Sequence, residues 1–302
     1  MSVLDRYEPL IDDFEEFLAA CERSLPSVVR INTIKTTTER AKWAFDEAGV
    51  GYESIDWHSG LLKLDSASPG RTWGAFHGWL YGQEEVSALP ALVCDPRPNE
   101  RVWAACAAPG GKATQLAARA GDRGLVVAND RNLGRLSALR FNAERLSVTS
   151  MAVTNRDAAN YSLAPFDFEV FDRALVDVPC SCEGTIRKNP DALDEWSLQR
   201  VESIAGTQES ILRRAVQATR AGGTVVYSTC TFAPEENERV LDAVLSEEDC
   251  RLVDFDCPLE TRPGVTEWNG TEFDPSVTRA KRIYPHLNDT GGFFCAKLEA
   301  GA

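Results

Sequence analysis

Between residues 101 and 230 short apolar stretches alternate with longer stretches of helical periodicity, and no other feature of this 302-residue chain narrows its fold so far. RVWAAC (101–106), GLVVAND (124–130), SMAVTN (150–155), FDRALVDV (171–178) and GTVVYSTC (223–230) read as strands, with helices near 112–120, 132–146, 195–220 and 234–246. Neighbouring parallel strands need long crossover connections, usually helices, so the alternation predicts an α/β fold: a mainly parallel, open sheet with helices on both faces. GGFFCAKLEA (291–300) adds a further strand. In such sheets ligands bind beyond the carboxyl ends of the strands, which singles out the last residues of each strand and the first of each loop.

Ahead of this region the pattern differs. IDDFEEFLAACER places Ile11, Phe14, Phe17, Leu18 and Cys21 on one helical face, and Pro26 ends the helix. VVRINTI (28–34) and LLKLD (61–65) read as strands, while TTERAKWAFDEAG (37–49) reads as a helix closed by Gly49. SASPGRTWGAFHGW (66–79) is then rich in loop residues, so a small α+β domain over 1–72 is expected to precede a larger domain over 73–302. No repeats or low-complexity tracts interrupt either part.

Composition limits the setting. The longest apolar runs fall short of a membrane span, and MSVLDRYEPLIDDFEEF is acidic where a signal peptide is basic and then apolar, so a cytoplasmic protein is expected. Nine cysteines spread through a mid-sized chain predict reduced thiols rather than a disulfide framework. The net charge of −14 disfavours nucleic acid as a partner when taken alone. Its make-up, 25 Arg against 7 Lys under a large acidic excess, is that of a surface adapted to concentrated salt, as in a halophile.

The chemistry gathers at the strand ends. CAAPGGK, residues 106–112, follows a strand and opens a helix; Gly110 and Gly111 admit a close backbone approach, and the helix start favours an anionic group. A Walker A loop would need glycine at 106 and Ser or Thr at 113, where Cys106 and Ala113 stand, and the dinucleotide pattern G-x-G-x-x-G is absent. Asp130 ends the second strand, at the place where a carboxylate takes ribose hydroxyls in nucleoside-binding sheets. Asp157 follows the third strand and Asp177 ends the fourth; together these acids and the loop favour an adenosine-type cofactor. Cys180 and Cys230 follow strands that lead to the same end of the sheet. For Cys180 and Cys182 a metal site is disfavoured, because C-x-C lacks a second pair and His58, His77 and His286 are the only histidines. A redox pair would favour C-x-x-C.

Six blocks in order, YGQEEVSALPAL (81–92), CAAPGGK (106–112), VVANDRNLGRL (126–136), FDRALVDVPCSCEGTIRKNP (171–190), VVYSTCTFAPEENE (225–238) and RIYPHLNDTGGFFCAKL (282–298), give the chain a close resemblance to the RNA cytosine-5 methyltransferases of the Nol/Nop/Sun group. The resemblance implies a class I, Rossmann-like methyltransferase domain using S-adenosylmethionine, behind a small RNA-binding-type domain to which PSVVRINTIKTT is more weakly similar. It implies that Cys106, Ala107, Ala108, Pro109, Gly110, Gly111 and Lys112 hold the methionine end of the cofactor, Asp130 its ribose and Asp157 its adenine region. Arg135 would border that pocket, and Asp177 would meet both cofactor and target base. Cys230 would be the nucleophile, and Cys180 a second thiol concerned with product release. Two positions depart from the family pattern: Ala104 stands for a usual aspartate and Cys182 for a usual glycine, which makes Cys182 an incidental small thiol in this reading.

Carbon 5 of cytosine is a poor nucleophile, so a thiolate adds first to carbon 6, while an acid near nitrogen 3, here Asp177 if protonated in a buried site, supports the developing charge. Arg187 and Lys188, together with Arg279, Lys281 and Arg282, form local basic clusters for RNA, and Trp73, Phe76 and Trp79 are candidate base stackers. A tRNA substrate is expected before ribosomal RNA, acted on by a monomer without metal. Two rivals stay open. An exocyclic-amine methyltransferase would carry Asn/Asp-Pro-Pro-aromatic where this chain has DVPC, and a silent RNA-binding scaffold would need neither Cys180 nor Cys230.

Overall fold

The computed structural model describes residues 3–65, 68–164, 166–167 and 170–301; Ser66 and Ala67 of the expected linker lie outside the described residues. The chain forms two compact units, Pro26–Asp157 and a second made of Met1–Leu25 with Ala158–Ala302.

In the unit Pro26–Asp157, strands Arg101–Ala104, Leu125–Asn129 and Met151–Thr154 pair in parallel in that order, with Val102 opposite Val126 and Val127 opposite Ala152. Val102, Trp103, Val126 and Val127 are buried, as strands covered on both faces require. The helices Gly111–Arg119 and Leu133–Arg145 are the crossovers, and the second is capped by the Asn132 side chain, which accepts from Gly134 N at 3.0 Å. A separate antiparallel sheet joins Tyr52–Ser54, Leu61–Leu64, Ser27–Ile31 and Leu80–Gly82. Helix Thr38–Glu47, capped by Thr37 and ended by Gly49 at φ 63°, packs Ala41 and Phe45 against Val29, Ile31, Leu62 and Leu64.

In the other unit Phe171–Asp177 pairs in parallel with Thr219–Thr229, which pairs antiparallel with Phe293–Ala300. Lys281–Ile283 and Cys250–Val253 extend this antiparallel side. Helix Leu198–Ala218 connects the two parallel strands and buries Val201, Ala205, Ile211 and Leu212. The α/β class expected from the strand-helix alternation, with its parallel strands in 101–229, is therefore the fold of the chain.

The packing of the first 25 residues differs from the expected division at residue 72. Tyr7, Ile11 and Phe17 lie in one core with Phe232 and Tyr284, and Phe17 meets the Phe232 ring edge-on at 5.2 Å. The amphipathic face of helix Phe14–Glu22 thus finds its apolar partners in residues 201–287, and the small sheet takes its last strand from Leu80–Gly82, beyond that boundary. Among the described residues no helix is long and apolar enough to cross a membrane.

Candidate functional site

Two groups of the expected residues are assembled, one in each unit. In Pro26–Asp157, the loop 106–112 leaves a strand and enters helix Gly111–Arg119 through Gly110 at φ 108°, a left-handed conformation that glycine alone adopts without strain. A β-carbon at Gly110 would stand 2.8 Å from the Leu139 side chain, so the loop also needs glycine for its packing. Asp130 is buried and fastens the loop: its Oδ2 accepts from Ala108 N at 3.2 Å and its Oδ1 from Asn132 N at 2.9 Å. Arg135 reaches Asp130 at 3.4 Å and donates to the Ala108 carbonyl. Asp157 is exposed after the third strand.

Asn129, buried beside Asp130, was not singled out by sequence reasoning. It donates to the carbonyls of Ala105 and Arg156, each at 3.0 Å, and accepts from Thr154 and from Arg156 N, which ties three strand ends together. An amide closing an otherwise apolar strand was the available signal. Arg30 is buried as well; it donates to Gln83 at 2.7 Å and to Thr114 at 2.9 Å in the first turn of the loop's helix. Burial lowers its pKa to about 10. The donor chemistry suits a ligand with a carboxylate at one end and a ribose at the other: N–H groups at a helix start, and a fixed carboxylate whose oxygens keep further lone pairs for hydroxyls.

The second group lies in the other unit and follows from strand register. Asp177 pairs with Ser228 in a parallel ladder, so the loops after both strands leave side by side. That brings Cys180 and Cys230, fifty residues apart in the chain, to 3.2 Å between their Sγ atoms. Cys230 N also approaches the Cys180 sulfur at 3.4 Å. Asp177 is half-buried and accepts from the Ser228 hydroxyl at 2.9 Å. Cys182 is part of the same cluster, with its sulfur 3.7 Å from that of Cys180, and all three sulfurs lie within 4.8 Å of one another. The sequence reading of Cys182 is a small thiol in a place where glycine normally serves. Its φ of 67° does explain why glycine suits the position.

The three thiols share their protons unevenly. Hydrogen bonds from Cys180 and Cys230 pull Cys182 down to about 3. Hydrogen bonds with Cys182 and Cys230, then burial, push Cys180 well up. At Cys230 the hydrogen bond with Cys180 lowers the pKa, but Cys182, burial and the charge of Asp177 outweigh it, and the net direction is upward.

Beneath the thiols sits a buried polar layer that sequence reasoning passed over. Glu236 accepts from Ser181 N at 3.1 Å and from Gln208 at 2.7 Å, and Gln208 also donates to the Pro179 carbonyl at 2.8 Å. Glu183 accepts from Tyr7, Trp196 and Ser181 at 2.6 to 2.7 Å. Asn237 links Thr229 and Thr231 on either side of Cys230. The helix expected from residue 234 begins only at Glu238, because 234–237 turn back to make these bonds. Burial, and after it the charge of Glu183, raises the Glu236 carboxyl to about 8.

The expected RNA contacts need correction. Arg187 is buried, its side chain 1 % exposed, and it donates to the carbonyls of Arg23, Ser24 and Thr290 and to Asp289. Arg282 is buried too, paired with Glu238 at 2.5 and 2.7 Å and donating to the Phe232 carbonyl. A guanidinium whose donors are used inside the protein is a brace rather than a phosphate contact. Lys188 is exposed, as are Trp73 (58 %) and Phe76 (79 %), while Trp73 and Trp79 line a cavity of about 540 Å³.

The profile of a family described as 16S rRNA methyltransferase RsmB/F matches residues 91–299. The chain is 36% identical to a tRNA (cytosine(49)-C(5))-methyltransferase of Pyrococcus abyssi, over 98% of this chain and 94% of that protein. It is 38% identical to ribosomal RNA small subunit methyltransferase F of Salmonella agona, over 94% of this chain but 59% of the relative. A crystal structure of a methyltransferase homolog protein from Pyrococcus horikoshii superposes with a TM-score of 0.86 at 29% identity, over 98% of this chain and 93% of the other.

Proposed function

Since the chain belongs to the RsmB/F family and is an S-adenosylmethionine-dependent RNA methyltransferase, we propose that it methylates carbon 5 of a cytosine in tRNA through a covalent bond to Cys230. The observation that carries the reading is the Cys180–Cys230 pair, 3.2 Å apart at the ends of two parallel strands. S-adenosylmethionine, when bound, supplies an electrophilic methyl group; residues 106–112, Asp130, Arg135 and Asp157 would hold it. Cys230 gives its sulfur to carbon 6 of the base, and carbon 5 becomes nucleophilic as a result. Asp177, held by the Ser228 hydroxyl, would meet the base at nitrogen 3 and, in its protonated form, donate a hydrogen bond that supports the negative charge developing there. After methylation Cys180 assists loss of the carbon 5 proton, directly or through a water, and the Cys230 thiolate leaves.

The tRNA reading is supported by the 36% identity to the archaeal tRNA methyltransferase, which runs over 98% of this chain. Ribosomal RNA with the same chemistry is the second reading, favoured by the family's description. Within the unit Pro26–Asp157, exposed Trp73 and Phe76 support contacts to RNA built on stacking more than on charge. In concentrated salt the counterion-release contribution falls steeply, which suits such contacts and the acidic, Lys-poor composition. The setting we propose is the cytoplasm of a salt-adapted cell, with the enzyme acting as a monomer; nine cysteines spread through a mid-sized chain support reduced thiols.

Bisulfite sequencing of RNA from a deletion strain should show one or more cytosines losing methylation, and unchanged methylation would overturn the reading. Cys230→Ala should reduce methyl transfer to background, whereas Cys180→Ala should accumulate a protein–RNA adduct on denaturing gels. An adduct with Cys230→Ala instead would reverse the two roles.

A further inference from the structure

Cys182 occupies left-handed backbone at φ 67°, where a β-carbon is strained and glycine is at ease, and the thiol carried at that position is turned toward two others. The Sγ atoms of Cys182 and Cys180 are 3.7 Å apart and those of Cys180 and Cys230 3.2 Å, with all three within 4.8 Å of one another. A tetrahedral metal held at about 2.3 Å from each sulfur needs sulfur–sulfur separations of about 3.8 Å, so small side-chain adjustments suffice. Cys182 and Cys230 are part-exposed while Cys180 is buried, which leaves an entry path on one side and an anchored ligand on the other.

We propose that Cys180, Cys182 and Cys230 form a three-thiolate site for a thiophilic divalent cation of the zinc class, and that its binding reversibly blocks methyl transfer by occupying the nucleophile. The sulfurs bind as thiolates, and the protons they still carry pass to the buffer as the metal enters. The fourth coordination position is open to water. Metal binding stands on the thiol geometry alone, whereas the inhibition rests on Cys230 being the nucleophile, so the two are measured separately.

The full-length protein, reduced and freed of metal, is titrated with cadmium while the thiolate-to-cadmium charge-transfer band is followed in the ultraviolet. One tight equivalent is expected, displaceable by zinc and removed by chelator. Cys182→Gly, which relieves the backbone strain, should weaken that equivalent by at least about tenfold, a scale that even changes outside the ligand shell reach. Cys182→Ser serves as a second variant should the glycine protein fold poorly. In parallel, zinc should stop methyl transfer by the wild type, chelator should restore it, and both variants should stay active and become resistant. Absence of the band, or an undiminished tight equivalent in Cys182→Gly or Cys182→Ser, overturns the site. A metal-loaded protein that methylates at the metal-free rate overturns the switch and leaves the site standing.

Discussion

The loop 106–112 and the thiol-bearing loops around 180 and 230 both extend strand ends, yet they are held in different ways. The first is fixed by neighbours that the sequence itself displays: two glycines, a strand-end aspartate, an asparagine beside it and a helix start. The second is fixed by groups far apart in the chain. Ser181 rests on Glu236, Glu183 collects Tyr7 and Trp196, and Glu238 is paired with Arg282. A ligand-binding loop needs backbone donors in one place, which local geometry provides. Reactive thiols must be kept in register across two loops, and here buried charged and polar bonds perform that task.

Arg282→Met should break this contrast most severely. It leaves Glu238 buried without its partner, and the expected loss is about 3–5 kcal/mol in denaturant unfolding. A loss within the ordinary surface range would mean that buried charge does not hold the thiol side. On the cofactor side, Asp130→Ala should leave the unit folded but cost about 1.5–3 kcal/mol of S-adenosylmethionine affinity, a Kd rise of roughly 10- to 150-fold by calorimetry. Equal loss of stability in both variants would erase the distinction drawn between the two regions.

Glu236 sharpens the comparison through pH. Its carboxyl is raised to about 8 in the fold, so the native state keeps a proton that the unfolded chain releases near 4.5. The contribution is therefore complete below the unfolded pKa and is lost as pH rises toward 8. Glu236→Gln should flatten this decline, and the midpoint difference between variant and wild type should move in favour of the variant as pH rises; a constant difference would rule the carboxyl out as the titrating group. The smallest expected effect is general: multimolar KCl should raise the unfolding temperature of wild type by several degrees, and indifference to salt would remove the halophilic reading of the acidic surface.

Much of the cofactor side was legible in the chain. Gly110, Gly111 and Asp130 stand where successive strand-turn-helix patterns require them. Cys230 and Cys180 were legible through the motifs around them. Arg187 and Arg282 were not, because a sequence displays charge but not burial, and both guanidiniums are buried with partners that lie far away, Thr290 and Glu238. Helix Phe14–Glu22 was predicted from its apolar face, but which core that face enters depends on Phe232 and Tyr284. Cys182 was read as a small thiol in a glycine's place, and its nearness to the Cys230 sulfur was not legible because Cys230 follows another strand.

By itself the sequence determined the strand-helix alternation and the strand-turn-helix at 106–112, which rest on local periodicity, while its family resemblance singled out Cys180 and Cys230 through short motifs. Only the tertiary structure decided which arginines are braces, where the first 25 residues pack, and that three sulfurs meet within 4.8 Å. The physical reason is that burial and thiol proximity are properties of chain segments brought together by strand register, as when Asp177 opposite Ser228 sets Cys180 beside Cys230.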